Sequence, residues 1–293
     1  MRPLSRTKRR FYLVTLSIVF IIVLPMIILY ARGYRLTEAL KIGRTGGLYV
    51  ATTESGTEVY INEEFIKKSG ILQRNVLVQN LKPDTYDIRV TKENFQTWQK
   101  TLTVYPETVT EAYPFIMPIH PVINKIERYL ARDGTGTTTV PKIGSDEVRE
   151  NPIYLRVAEI FNSTSTLPLS RQTATSTESQ RSQRRLSVEN KEGVVVVEWL
   201  GELSKAPVYF CQLEFCKAEI VIEIHAPVRD FDFYPSRGDL LIISLFDGVY
   251  VVEIDDRSSQ NVQRLFAGAN VDFRLENDTI YFKSGESFFS FSI

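Results

Sequence analysis

Between Phe11 and Tyr30 the chain runs FYLVTLSIVFIIVLPMIILY, twenty residues without a charge, directly behind a leader that holds Arg2, Arg6, Lys8, Arg9 and Arg10. Wound as a helix, such a run covers about 30 Å, the thickness of a bilayer's hydrocarbon core, and it satisfies every backbone amide internally. The sequence therefore predicts a cytoplasmic leader over 1–10 and a transmembrane helix over 11–30. Thr15 and Ser17 can bond back to the preceding turn, and Pro25 bends a helix of this kind without ending it. Five basic residues precede the run and only Arg32 and Arg35 lie close behind it. That asymmetry predicts a single-pass protein with its N-terminus in the cytoplasm and the bulk of the chain extracytoplasmic. A cleavable signal peptide is the rival reading, but its apolar region is shorter and ends at small residues, whereas Leu29 and Ala31 stand at the corresponding positions here.

This topology excludes several functions. A ten-residue leader is too short to fold, so no kinase or response-regulator domain is expected on the cytoplasmic side. Lys plus Arg and Asp plus Glu both number 35, which lacks the basic excess of a nucleic-acid-binding chain, and no nucleic acid is expected as partner. The cations of the leader instead suit anionic lipid headgroups, so the membrane is an expected partner.

Past the apolar run, 46–118 reads as short strands separated by turn residues. Gly46-Gly47 opens LYVATT, Glu54-Ser55-Gly56-Thr57 makes a turn, and EVYIN sets Val59 and Ile61 against Glu58, Tyr60 and Asn62. An apolar strand follows within Ile71 to Leu81. Pro83-Asp84 can centre a type I turn, and YDIRV places Tyr86, Ile88 and Val90 on one face. Phe95 and Trp98 then lead into TLTV. In order of parts this segment resembles the PEGA domain, a small surface-layer-like β module. Of the family's Pro-Glu-Gly-Ala tetrapeptide only Gly56 is kept; Asn62 is followed by Glu63 in place of glycine; Leu81, Pro83 and Tyr86 hold their places around Asp84-Thr85; and Asn94-Phe95-Gln96-Thr97-Trp98 stands for Gly-Tyr-x-x-Trp. Some of the lost glycines are replaced by Asp or Asn, which enter the left-handed region more readily than other side chains. The resemblance implies an antiparallel β module able to fold by itself with Trp98 buried. An exposed Trp98 would be a ligand-stacking residue instead.

From 119 to 185 periodicity is lost. Arg132 to Thr139 and the Ser, Thr, Gln and Arg-rich stretch from Asn162 to Arg185 cannot bury enough apolar area to offset ordering entropy, and are expected to be linkers. Between them Tyr154 to Phe161, YLRVAEIF, is expected to be a strand and to mark a degenerate repeat, while Asn124 to Leu130 suits a short strand or a helical turn.

Over 186–293 a period appears. Segments starting at Leu186, Val228 and Ala269 superimpose at spacings of 42 and 41, each giving a strand, a polar turn and an apolar strand. In the middle unit GVYVVEID and NVQRLF add two more strands. Four-stranded repeats of this length resemble β-propeller (WD40-like) blades, although no Gly-His to Trp-Asp signature is present, and an open β-sandwich is the alternative.

The search for chemistry is largely negative. His120 and His225 have no carboxylate or cysteine at metal-ligand spacing, and Gly43-x-x-Gly46-Gly47 opens a strand where a phosphate loop would open a helix. Asp230 and Asp232, like Asp255 and Asp256, could line a calcium or glycosidase site, but both pairs fall at expected turns. No catalytic residue, metal site or cofactor is expected. Cys211 and Cys216 flank a four-residue connection between the strand-like VYF and AEIVIEI. They are predicted to form a disulfide across a hairpin in an oxidising compartment, the alternative being two buried free thiols.

Together these features predict an all-β exported region carried by one N-terminal helix, and a binding or scaffold protein of the cell envelope that is not an enzyme. The resemblance implies cell-wall glycan or envelope proteins as partners without pointing to a contact residue. An accessory subunit of a membrane signalling complex, or an envelope glycan-active enzyme, are the other readings.

Overall fold

A computed structural model describes residues 6–31, 34–36, 42–130, 149–163, 185–191, 194–213 and 215–293. The linkers expected over Arg132 to Thr139 and through most of 162–185, and the first half of the leader, lie outside the described residues. The uncharged run sits within helix α1 (Arg6–Ala31), none of whose residues is buried. It is apolar and long enough to be a membrane anchor or a signal sequence. The rest of the described residues is mostly β, arranged in several largely antiparallel sheets, none of which closes into a barrel.

The chain divides into two compact units, Met1–Ile88 with Thr101–Pro114, and Arg89–Lys100 with Phe115–Ile293. In the first, β1 (Tyr34–Leu36) and β2 (Ile42–Arg44) pair as a hairpin. Strand β3 (Gly46–Val50) then lies between antiparallel β6 (Val76–Leu81) and parallel β9 (Val109–Ala112), so this sheet is mixed where the sequence led us to expect an antiparallel module. Gly46 is required because a Cβ there would sit 2.2 Å from the Tyr105 carbonyl oxygen. The second sheet of the module runs β5 (Glu64–Lys68), β4 (Glu58–Ile61), β7 (Asp84–Thr91), β8 (Trp98–Val104). Period-2 alternation is obeyed: Val59 and Ile61 of β4, and Ile88 and Val90 of β7, are buried. The β4–β5 turn is Asn62-Glu63 with both residues at positive φ, as a two-residue type I′ hairpin requires, and Asn94 is also left-handed where the PEGA pattern has glycine.

In the second unit β10 (Asn124–Ile126) and the two-residue strands β11 (Tyr129–Leu130) and β12 (Arg149–Glu150) lead to helix α2 (Pro152–Asn162). This corrects the expectation of a strand, and of a degenerate blade, over Tyr154 to Phe161. The Asn151 side chain caps the helix by accepting from the Ile153 amide, Pro152 occupies its first turn, and Tyr154, Val157, Ala158 and Phe161 recur at helical spacing to pack with Phe288 and Ile126. Each of the three repeats does begin with two strands paired antiparallel. They are β13 (Leu186–Lys191) with β14 (Val194–Trp199), β18 (Asp230–Phe233) with β19 (Leu240–Leu245), and β22 (Asp272–Glu276) with β23 (Thr279–Ser284). Adding β20 (Gly248–Glu253) and β21 (Val262–Ala267) makes the middle sheet four-stranded. In the first sheet the third and last strand is β17 (Glu219–Val221); in the last sheet β24 (Ser287–Ser292) is joined by β10 from far upstream. No ring closes among these sheets. Every residue of β19 is buried, and Leu241 and Ile243 share a core with Val197, Trp199, Phe210 and Ile220.

Candidate functional site

Two short turns of 3-10 helix after β14 carry the chain to a small hairpin, β15 (Cys211–Gln212) with β16 (Phe215–Cys216). Cys211 and Cys216 face each other in its register and are joined by a disulfide, with Gln212 paired to Phe215. The strand expected over VYF is instead the second of the 3-10 turns (Val208–Phe210), and the strand expected over AEIVIEI shortens to β17, which pairs with β14. A cavity of about 250 Å³ lies beside the cystine, lined by Tyr209, Phe210, Gln212, Phe215, Lys217 and Asp256 among others. Phe215 is 84% exposed. Lys217 ion-pairs with Asp256, whose second carboxylate oxygen is buried without a hydrogen bond. An exposed ring beside a mixed ionic rim can stack on a sugar face or a peptide side chain, and we take this as the candidate contact site.

Trp98 does not serve that purpose. It is 0% exposed, so neither ring face is open to a ligand, and its Nε1 donates to Glu253 Oε1 at 3.4 Å. Glu253 is the centre of a buried polar cluster in the second unit. The Lys100 ammonium, whose side chain is 1% exposed, donates to Glu253 Oε2 at 3.2 Å and to the Asp255 carbonyl at 2.6 Å, and Asn261 Nδ2 donates to Glu253 Oε2 at 2.9 Å. Burial pushes the Glu253 carboxyl above the ordinary range; the Lys100 charge draws it down and Asp255 pushes it up again. Arg257 holds the Asp255 carboxylate in a two-nitrogen fork at 3.0 and 2.8 Å. Asp255 and Asp256 are thus committed to separate cations, and Asp230 pairs with Arg274 at 2.9 Å. Burial raises both Asp230 and Asp232, with Arg274 acting against it at each.

Sequence reasoning overlooked Lys100, although a signal was present. In β8 the buried residues are Trp98, Lys100, Leu102 and Val104, so alternation alone puts the lysine on the inward face and demands a partner for it. Gln263 is a second buried polar residue of this kind: its Oε1 accepts from the Met117 amide at 2.7 Å and its Nε2 donates to the Phe115 carbonyl at 3.1 Å. The segment 46–118 is therefore not closed on itself.

Compared with known families, residues 45–118 match the PEGA domain. A comparison with curated proteins gave no match. A PEGA match suggests an extracellular or envelope module, and the apolar helix before it is of a kind that serves as anchor or signal.

Proposed function

We propose that the protein is a membrane-tethered scaffold of the cell envelope, its N-terminus cytoplasmic and its PEGA domain and β repeats extracytoplasmic, which binds cell-wall glycan or envelope proteins and does not catalyse. The observation that carries this reading is the position of the PEGA match, which begins fourteen residues after Ala31, the last of the apolar helix. The basic leader supports the orientation. The cystine hairpin supports an oxidising location and offers Phe215 as the contact residue. The repeated sheets would act as a blade-like platform, with β10 completing the last of them. Two experiments test this. A reporter active only after export, fused after Thr45, should be active; activity solely in the cytoplasm overturns the orientation. The full chain in vesicles should retain isolated cell-wall glycan or envelope protein, lose most of that retention on Phe215→Ala, and release no new glycan fragments.

A further inference from the structure

At the base of the first unit a groove of about 660 Å³ opens where α1 ends, with Ala31 and Tyr34 on one side and the outward face of the β6-β3-β9 sheet on the other. This face is unusual for a solvated sheet. Leu77 of β6 and Val109 of β9 are 51% and 54% exposed; Gly47 of β3 is partnered with Val109 on one side and Gln79 on the other, and Leu77 stands opposite Tyr49, one pair further along the same face. The absent Gly47 side chain leaves a hollow beside the Val109 methyl. On the rim, Arg44 Nε donates to the Tyr34 hydroxyl at 2.9 Å and lies 3.5 Å from a Glu107 carboxylate oxygen. Glu107 is itself left-handed, at φ 64, behind Pro106, in the kind of turn position where glycine or asparagine is cheaper. Its amide donates to the Thr45 carbonyl at 3.0 Å, tying the rim to the chain arriving from the helix.

We propose that this groove holds the headgroup of a phospholipid that bears a primary ammonium. The inference rests on the reading of α1 as a membrane span. If Phe11 to Tyr30 crosses the hydrocarbon core, Ala31 and Tyr34 stand at headgroup level, and the groove opens at that depth. A cation and an anion side by side on the rim match a headgroup with the reverse order of charge: phosphate toward Arg44, ammonium toward Glu107. The glycerol and first methylenes then cover Leu77 and Val109 over the Gly47 hollow. A purely anionic headgroup would gain Arg44 and face repulsion from Glu107.

The test uses the full chain, stripped of lipid in detergent and offered equal amounts of phosphatidylethanolamine and phosphatidylglycerol, with retained lipid read by native mass spectrometry. The wild type should prefer the ethanolamine lipid about tenfold, the worth of one charge-assisted hydrogen bond. Glu107→Gln should erase that preference, and Arg44→Gln and Gly47→Leu should lower retention of both lipids. Arg44 and Glu107 have exposed side chains, so neither glutamine substitution endangers the fold. Equal retention of the two lipids by the wild type, or variants that behave like it, overturns the proposal; so does soluble phosphoethanolamine competing as well as the lipid. Carbonate extraction of cells separates the two failures. A chain that stays with membranes yet shows no preference overturns this inference alone, whereas a chain released as soluble protein overturns the anchor and the groove together.

Discussion

Lys100 shows how one residue can tie distant parts of a sequence. An ammonium at 1% exposure is tolerated because a carboxylate and a backbone carbonyl meet it, and removing either partner leaves the other stranded. Lys100→Met is expected to cost about 3 to 5 kcal/mol in urea unfolding of the full chain, and adding Glu253→Leu should recover a large part of that loss. An equal or larger loss in the double variant would show that the pair itself stabilises more than apolar packing can. Asp232 works through pH instead. Burial raises its carboxyl in the folded protein, so the folded state holds that proton more tightly than the unfolded chain. Its contribution is complete below the unfolded carboxylate value, about 3.9, and is lost as pH rises through the elevated folded value. Wild type should therefore gain thermal stability over Asp232→Asn as pH is lowered from about 7 to about 4, and a difference that shrinks on acidification would contradict the burial.

Among the elements, those with a single dominant period were readable from sequence. The strand around Val59 and Ile61, the pairs of strands at each repeat start and the apolar helix all follow from spacing alone. Over YLRVAEIF the chain supports two periods at once. The cue that decides for a helix lies outside the run, in Asn151-Pro152, an N-cap residue followed by a first-turn proline. Pairings across long separations, such as β10 with β24, leave no local mark and could not be read. The candidate site was half legible: the cystine partners follow from a short connection, whereas the exposure of Phe215 depends on how the hairpin stands off the core. The cystine closes so small a loop that the chain-entropy model gives it about 2 kcal/mol. Cys211→Ser with Cys216→Ser should therefore lower stability by about that amount, and faster amide exchange should stay confined to the hairpin and its neighbours. Loss of protection in β19 would make the bond a determinant of the whole sheet.

At the level of the molecule, the boundary of the family match and the boundary of the compact units do not coincide. Residues 45–118 match the PEGA domain, yet Arg89–Lys100 belongs with the C-terminal sheets, where Gln96 and Arg264 exchange hydrogen bonds at 2.8 and 3.2 Å and Asn261 bonds both backbone groups of Gln99. A fragment over 42–118 lacks Glu253, so Lys100→Met, destabilising in the full chain, should be neutral or stabilising in the fragment when both are unfolded in urea. The same sign in both would mean that the lysine finds its partner within the module. The separation of Lys100 from Glu253, 153 positions along the chain, also sets a clock. At typical synthesis speeds the lysine is made about 8 to 30 s before the glutamate that receives it. Throughout that interval the newborn module has a hydrated cation where its finished form is dry, and Trp98 has no acceptor. Drying of the Lys100 site is therefore a late event, since it cannot precede synthesis of Glu253.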